Sequence, residues 1–368
     1  MNDLAPTPVS AFAPGAARGR LRPLLAPDSI AVIGATARDG SFGQVAVRTI
    51  VASGFAGRVL PVNPKYGEVL GLACHASIAR LPERPDLAVV VVANTQVEAA
   101  LDEVIAAGVP AAVVFASCYL EGDAPPLLTE RIRRKARAAG LAMVGANCLG
   151  FQNREHPLAV GVFPAGDLRP GNIAVISHSG SAFLSMSTLD ARFRPNLIVS
   201  AGQELATTAA DYVAYALDLA STRVVALFLE TVRDPAGFAA ALARAEAQDV
   251  PVVALKVGRT EASARLARTH SGALTGDDAA YDALFDHYGV RRVESVDELT
   301  ATALLLSSPR RYVQGGLGAV LDSGGQRGMM LDLAAKIGVP VAPIAPATVA
   351  KLAQVLEYGL EPVNPVDA

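Results

Sequence analysis

The chain has 368 residues, 51% hydrophobic, 18% charged and 5% aromatic, with a formal net charge of -3. That length is enough for about two to three domains, and the apolar fraction can fill a core in each, which excludes disorder for most of the chain. Lysine and arginine (32) nearly cancel aspartate and glutamate (35), so no global field favours nucleic acid or an anionic membrane. The longest apolar runs, such as Leu87 to Ala93, fall far short of the ~20 residues of a membrane span.

Residues 1–20 are rich in Ala and Pro, contain Asp3 and lack the continuous apolar block of a signal peptide, so a flexible leader is expected there. Short β-rich runs bounded by Gly or Pro then alternate with Ala-rich stretches of helical spacing, the pattern of a parallel α/β sheet. The first strands are expected at Ser29 to Gly34, Arg58 to Asn63, Asp86 to Ala93, Ala111 to Ala116 and Leu141 to Gly145, forming a Rossmann-like unit over residues 21–151. Polar, Pro- and Gly-bearing sequence from Gln152 to Gly171 reads as a break. Alternation resumes with Asn172 to Ser177, Asn196 to Ala201, Val224 to Glu230 and Val252 to Val257, closing with a helix over Ser295 to Leu306, a second unit over residues 171–307. After another break at Ser307 to Gly316, a strand (Leu317 to Ser323) leads through Gly324 and Gly325 into a helix ending near Ile337. This third unit, residues 316–368, holds only about fifty residues where a domain of this class needs about 100, so it reads as incomplete. Cys74, Cys118 and Cys148 fit neither a disulfide frame nor a zinc site, which points to a reducing, cytoplasmic setting.

Three constellations can carry chemistry. Gly34 to Gly43 follows the first strand and opens a helix, where glycines let backbone approach a phosphate and the helix N-terminus attracts it. The spacing is not G-x-G-x-x-G, and the second strand ends in Val62-Asn63-Pro64-Lys65 with no acidic residue for a ribose diol. A cation there suits a phosphorylated ribose, as in coenzyme A, better than NAD; a glycine-rich turn without ligand is the alternative. Ser177-His178-Ser179-Gly180 is a second strand-to-helix turn, which taken alone reads equally as a capped helix start. The third, Thr269 to Gly276, holds His270 among small residues with little to pack against, and imidazole is a nucleophile near neutral pH. Glu230 supplies a carboxylate at a strand end in the same frame.

These landmarks, in this order from about Leu21 onward, resemble the NDP-forming (ADP-forming) acyl-CoA synthetases, relatives of the succinyl-CoA synthetase α subunit. The Gly34 turn, the V-N-P-K strand end, Asn147-Cys148-Leu149-Gly150, the S-x-S-G turn, Leu229-Glu230, Lys256 to Thr260, the His270 loop and the D-x-x-Y-D-A-x-F-like stretch Asp277 to Phe285 are similar to the family's elements. The resemblance implies a Rossmann-like CoA-binding domain followed by flavodoxin-like domains of succinyl-CoA-synthetase type. It implies His270 as the phosphorylated residue with Glu230 orienting it. It also implies Ser177, His178, Ser179, Gly180, Gly324 and Gly325 at phosphate, and Gly34, Ala35, Thr36, Ser41, Gly43, Asn63, Pro64, Lys65, Ala93, Asn94 and Asn147 at CoA.

The implied reaction forms acyl-CoA from a carboxylic acid, CoA and ATP through a phosphohistidine and an acyl phosphate. ATP and magnesium would bind mainly on an ATP-grasp module outside this chain, in cis or as a separate subunit of an oligomer. His178 and Gln203 stand where the family usually has glutamine and asparagine, and Asn364 to Asp367 resembles a motif inside the family's third domain, so a fragment of a longer enzyme is expected. A CoA-binding regulatory module, like the synthetase-like part of certain protein acetyltransferases, is the alternative; it would commonly lack the histidine. No feature identifies the acid or separates ATP from GTP.

Overall fold

The computed structural model describes residues 15–188, 192–263, 265, 278–309 and 315–368. They fall into two units, Met1–Ser307 and Ser308–Ala368.

The first described element is a helix, Ala16–Leu25 (α1), inside the stretch expected as a leader. Ala17, Leu21, Leu24 and Leu25 recur at helical spacing and are fully buried. The N–H groups of Gly15 and Arg18 donate to the Asp218 carboxylate at 2.8 and 2.9 Å, holding the helix start. The expectation of a leader is therefore corrected from residue 16 onward: the apolar spacing outweighs the Ala/Pro composition.

Ser29–Ile33 (β1), Arg58–Val62 (β2), Leu87–Val90, Ala111–Val114 and Ala142–Gly145 form the first sheet; a small hairpin, Glu68–Val69 (β3) with Leu72–Ala73 (β4), follows β2. With the last three strands numbered β5 to β7, the order is β2-β1-β5-β6-β7, all parallel. Phe42–Ala52 (α2), Asn94–Ala106 (α3) and Leu128–Ala138 (α4) are the crossovers. Strands β5 and β6 are apolar and buried at every residue, as expected of strands covered on both faces.

The second sheet comprises Gly150–Asn153 (β8), Leu158–Val160 (β9), Ile173–Ser177 (β10), Pro195–Ser200 (β11), Val224–Leu229 (β12), Val252–Lys256 (β13) and Arg291–Val293 (β14). Its order is β14-β13-β12-β10-β11-β8-β9, parallel from β10 to β14, with β8 and β9 antiparallel at the β11 edge. The polar stretch read as a break thus begins with a hairpin. Gln152, Asn153 and Arg154 are buried and bonded there: the Asn153 amide donates to the Leu25 carbonyl at 2.9 Å, and the Arg154 guanidinium to Gln152 Oε1 at 3.0 Å. Residues 150–160 accordingly belong to the second sheet.

If the parallel strands of each sheet are counted in chain order, both sheets run 2-1-3-4-5. In this topology ligands bind beyond the carboxyl ends of the strands, where the winding reverses. That point lies between β1 and β5 in one sheet and between β10 and β12 in the other.

Helices Gly180–Thr188 (α5), Ala209–Leu217 (α6), Pro235–Ala247 (α7), Asp278–His287 (α8) and Val296–Leu306 (α9) complete the first unit. Every residue of α6 is buried; it packs on α1 and α7, and the Tyr212 hydroxyl donates to the Met143 carbonyl at 3.3 Å. The second unit pairs Val320–Leu321 (β15) in parallel with Val366–Asp367 (β16), with helices Gly324–Ile337 (α10) and Pro346–Val355 (α11). Among the described residues no helix is long and apolar enough to cross a membrane.

Candidate functional site

At the first reversal the β1–α2 turn is built by close backbone contact. Gly34 has φ +89°, and a Cβ there would lie 2.2 Å from the Val91 carbonyl oxygen. Ser41 caps α2 by accepting the Gln44 N–H at 3.4 Å. The Asn63 amide donates to the Ala35 carbonyl at 2.7 Å and its oxygen accepts the Lys65 N–H at 3.0 Å, tying the β2 end to the turn. Thr36 donates to the Tyr66 hydroxyl at 3.2 Å, and Lys65 stays exposed. Ala93 and Asn94 close the other side, at the start of α3, and Pro64 lies beside the exposed Lys65. The Asn94 side chain is already committed: its nitrogen donates to Ser117 Oγ and the Tyr119 carbonyl, at 3.1 and 2.9 Å, and its oxygen accepts the Cys118 N–H at 2.9 Å.

Gly34, Ala35, Thr36, Ser41, Gly43, Asn63, Pro64, Lys65, Ala93 and Asn94 therefore meet around one set of adjacent strand ends. Asn147 meets this set indirectly, since Ala116, which accepts its N–H, adjoins Ser117, the partner of Asn94. It follows β7 at the opposite edge of the sheet, where its N–H donates to the Ala116 carbonyl at 2.9 Å.

At the second reversal the turn Ser177 to Gly180 enters α5. Ser177 Oγ donates to the Ser179 carbonyl at 2.7 Å, and Ser179 Oγ accepts the Ala182 N–H at 3.3 Å as a helix cap. His178 is buried, contacting Glu204 at 2.8 Å through Nε2 and accepting the Glu230 N–H at 3.0 Å through Nδ1. The Ser177 and His178 side chains are engaged inside the fold, so the phosphate contact expected of this turn would come from the helix N-terminus. Ser179 and Gly180, at the mouth of the helix, keep partial surface access; the Ser179 N–H donates to Ser177 Oγ at 3.2 Å, which leaves the Gly180 N–H as the first-turn donor there.

Glu230 directly follows β12 beside this turn and is buried. Lys256, at the end of neighbouring β13, donates to the Val257 carbonyl and lies 4.5 Å from the Tyr281 ring centroid. Burial pushes its ammonium pKa down to about 8. Arg259 pairs with Asp278 at 3.3 Å, joining the chain before and after residues 266–277. His270 itself lies outside the described residues. Among the described residues no group of three His, Cys, Asp or Glu side chains gathers to hold a metal ion.

Residues 28–154 match a CoA binding domain and residues 170–306 a succinyl-CoA ligase like flavodoxin domain. The acetate–CoA ligase (ADP-forming) I of Archaeoglobus fulgidus is 34% identical over 94% of this chain and 50% of its own length. The α subunit of the acetate–CoA ligase (ADP-forming) I of Pyrococcus furiosus is 29% identical over 86% of this chain and 69% of its own. Among solved structures, the dinucleotide-forming acetyl-coenzyme A synthetase 1 of Candidatus Korarchaeum cryptofilum, in complex with phosphate and ADP, superposes with TM-score 0.81 at 27% identity. That alignment covers 94% of this chain and 75% of the other. The chain carries the two domains, and over nearly all of its length the sequence likeness, of the ADP-forming acyl-CoA synthetases. It spans about half the length of several curated relatives it matches.

Against that family frame, Gly324 and Gly325 lie at the start of α10 in the second unit. There the N-P-V-D stretch forms β16, with Asn364 donating to the Leu317 and Ala342 carbonyls at 2.7 Å each. Sequence reasoning missed Glu204, the buried partner of His178. Its signal was local: it directly follows Gln203, already noted as a departure from the family's pattern.

Proposed function

We propose that this chain supplies the CoA-binding and phosphoryl-carrying part of an acid–thiol ligase. The overall reaction joins a carboxylic acid to CoA, with ATP giving ADP and phosphate. The observation that carries this is the repeated geometry: each sheet presents a strand-to-helix turn at its point of reversal, and Glu230 stands beside the second.

The His270 imidazole attacks the γ-phosphorus and ADP leaves. A carboxylate oxygen then takes the phosphoryl group from the ring, giving an acyl phosphate and free imidazole. The CoA sulfur attacks the acyl carbon as phosphate departs. Glu230 accepts a hydrogen bond from the second ring nitrogen and holds the ring in its reactive orientation. The backbone N–H group of Gly180, at the N-terminus of α5, faces the phosphoryl oxygens. The turn between Gly34 and Gly43, where a Cβ on either glycine would strike backbone, sets the N-terminus of α2 to receive a CoA phosphate, with exposed Lys65 nearby for charge. An ATP-grasp module, in the same polypeptide or as a partner subunit, provides the nucleotide and its magnesium.

The test is incubation of the chain and its ATP-grasp partner with labelled ATP and magnesium, followed by mapping under non-acidic conditions. Label on His270, discharged by ADP or by an acid plus CoA, is the expected result. CoA retention with no histidine label would make the chain a CoA-responsive relative without the reaction.

A further inference from the structure

The His178 side chain is 3% exposed. Its Nδ1 accepts the Glu230 backbone N–H at 3.0 Å. A backbone amide nitrogen only donates, so Nδ1 carries no proton and the neutral ring keeps its hydrogen on Nε2. That hydrogen is donated to Glu204 Oε1 at 2.8 Å. Glu204 is in turn anchored to the first sheet through its neighbour. Gln203 donates its N–H to the Ala146 carbonyl at 2.8 Å and its amide to the Ser117 carbonyl at 3.1 Å. Ser117 is held by Asn94, at the start of α3. A continuous series of bonded groups thus runs from the start of α3 to Glu230.

We propose that His178 is a positioning residue: as the Nε2–H tautomer it tethers the Glu230 backbone to Glu204 and fixes where the Glu230 carboxylate stands. The inference rests on the reading of Glu230 as the group that orients the loop histidine. It also predicts which substitutions the position accepts. A glutamine amide presents the same pair, a carbonyl acceptor and an N–H donor, whereas phenylalanine fills the space and presents neither.

Three measurements test this. In the chain labelled with ¹⁵N-histidine, two-bond ¹H–¹⁵N correlation should show one imidazole with bare Nδ1 and protonated Nε2, and its signals should vanish in His178→Gln. A protonated Nδ1 in that residue overturns the proposal. The Glu230 amide should exchange slowly in the parent chain and in His178→Gln, and lose protection in His178→Phe; equal protection in all three also overturns it. With the ATP-grasp partner, His178→Gln should load label near the parent rate, while His178→Phe should load roughly 10- to 100-fold more slowly with CoA affinity kept. Equal loading by His178→Phe overturns the proposal. If even the parent chain takes no label, the functional reading fails, and the tautomer and amide exchange still decide the tether.

Discussion

Gly43, in the first turn of α2, lies so close to Gly34 that a Cβ on Gly43 would stand 2.1 Å from the Gly34 carbonyl oxygen. No side chain rearrangement relieves that contact, because the obstacle is backbone. Gly43→Ala must push the helix start away from the β1 turn, with an expected loss of about 1–3 kcal/mol and of any stabilisation by CoA. Thermal unfolding with and without CoA checks this; a variant that unfolds and responds like the parent would refute the close-packed cradle.

CoA should raise the unfolding temperature of the chain while NAD does not. At a hundredfold excess over its dissociation constant, a ligand specific for the folded state adds about 2.7 kcal/mol. The β2 end presents Asn63, whose amide is bound to Ala35, and Lys65, so it has no carboxylate for a ribose diol. Lys65→Glu should weaken the CoA effect most at low salt. Equal shifts from CoA and NAD would remove the case for a CoA site.

The three cysteines should divide by burial. Desolvation pushes the Cys118 and Cys148 thiols up to about 12, and raises the less buried Cys74 thiol as well. Under native conditions near neutral pH, alkylation followed by mass mapping should find Cys74 modified first and the other two only on unfolding. Rapid modification of Cys148 in the folded chain would contradict its packing under the Val114 carbonyl, 3.4 Å away.

Lys256 gives a pH dependence with a defined sign. Its folded pKa of about 8 lies below the ordinary 10.5 because burial disfavours the ammonium. Between those values the unfolded chain binds a proton that the folded chain does not, so stability rises with pH across that window. Relative to Lys256→Met, the parent should gain about 2 kcal/mol from pH 8 to 10. A difference that stays flat or falls would mean the amine is charged in place.

The alternation of apolar strands and helices was readable because strands covered on both faces must be apolar throughout, and β5 and β6 are. The turns at Gly34 and Ser177 were readable for the same local reason, glycine and hydroxyl chemistry at a helix start. Burial of polar groups was not. Gln152, Asn153 and Arg154 look like linker residues until their partners at Leu25 and Ser187 are in place. His178 looked like part of a phosphate turn because its partners, Glu204 and Glu230, lie 26 and 52 residues further on. The Asn63 and Asn94 side chains are likewise claimed by neighbouring strand ends that no local pattern names.

The antiparallel pair β8 and β9 bears on how such enzymes exchange parts. The stretch matching the CoA binding domain runs to residue 154, yet β8 within it is hydrogen-bonded to β11 of the following sheet. A chimera spliced after that stretch would import a foreign border strand, and one that lost it would leave β11 with a bare, aggregation-prone flank. The seam that keeps both sheets whole lies between Gly145 and Gly150, a window already crossed by the bonds from Gln203 and Leu205. Parts exchanged across this boundary should therefore travel as both halves together.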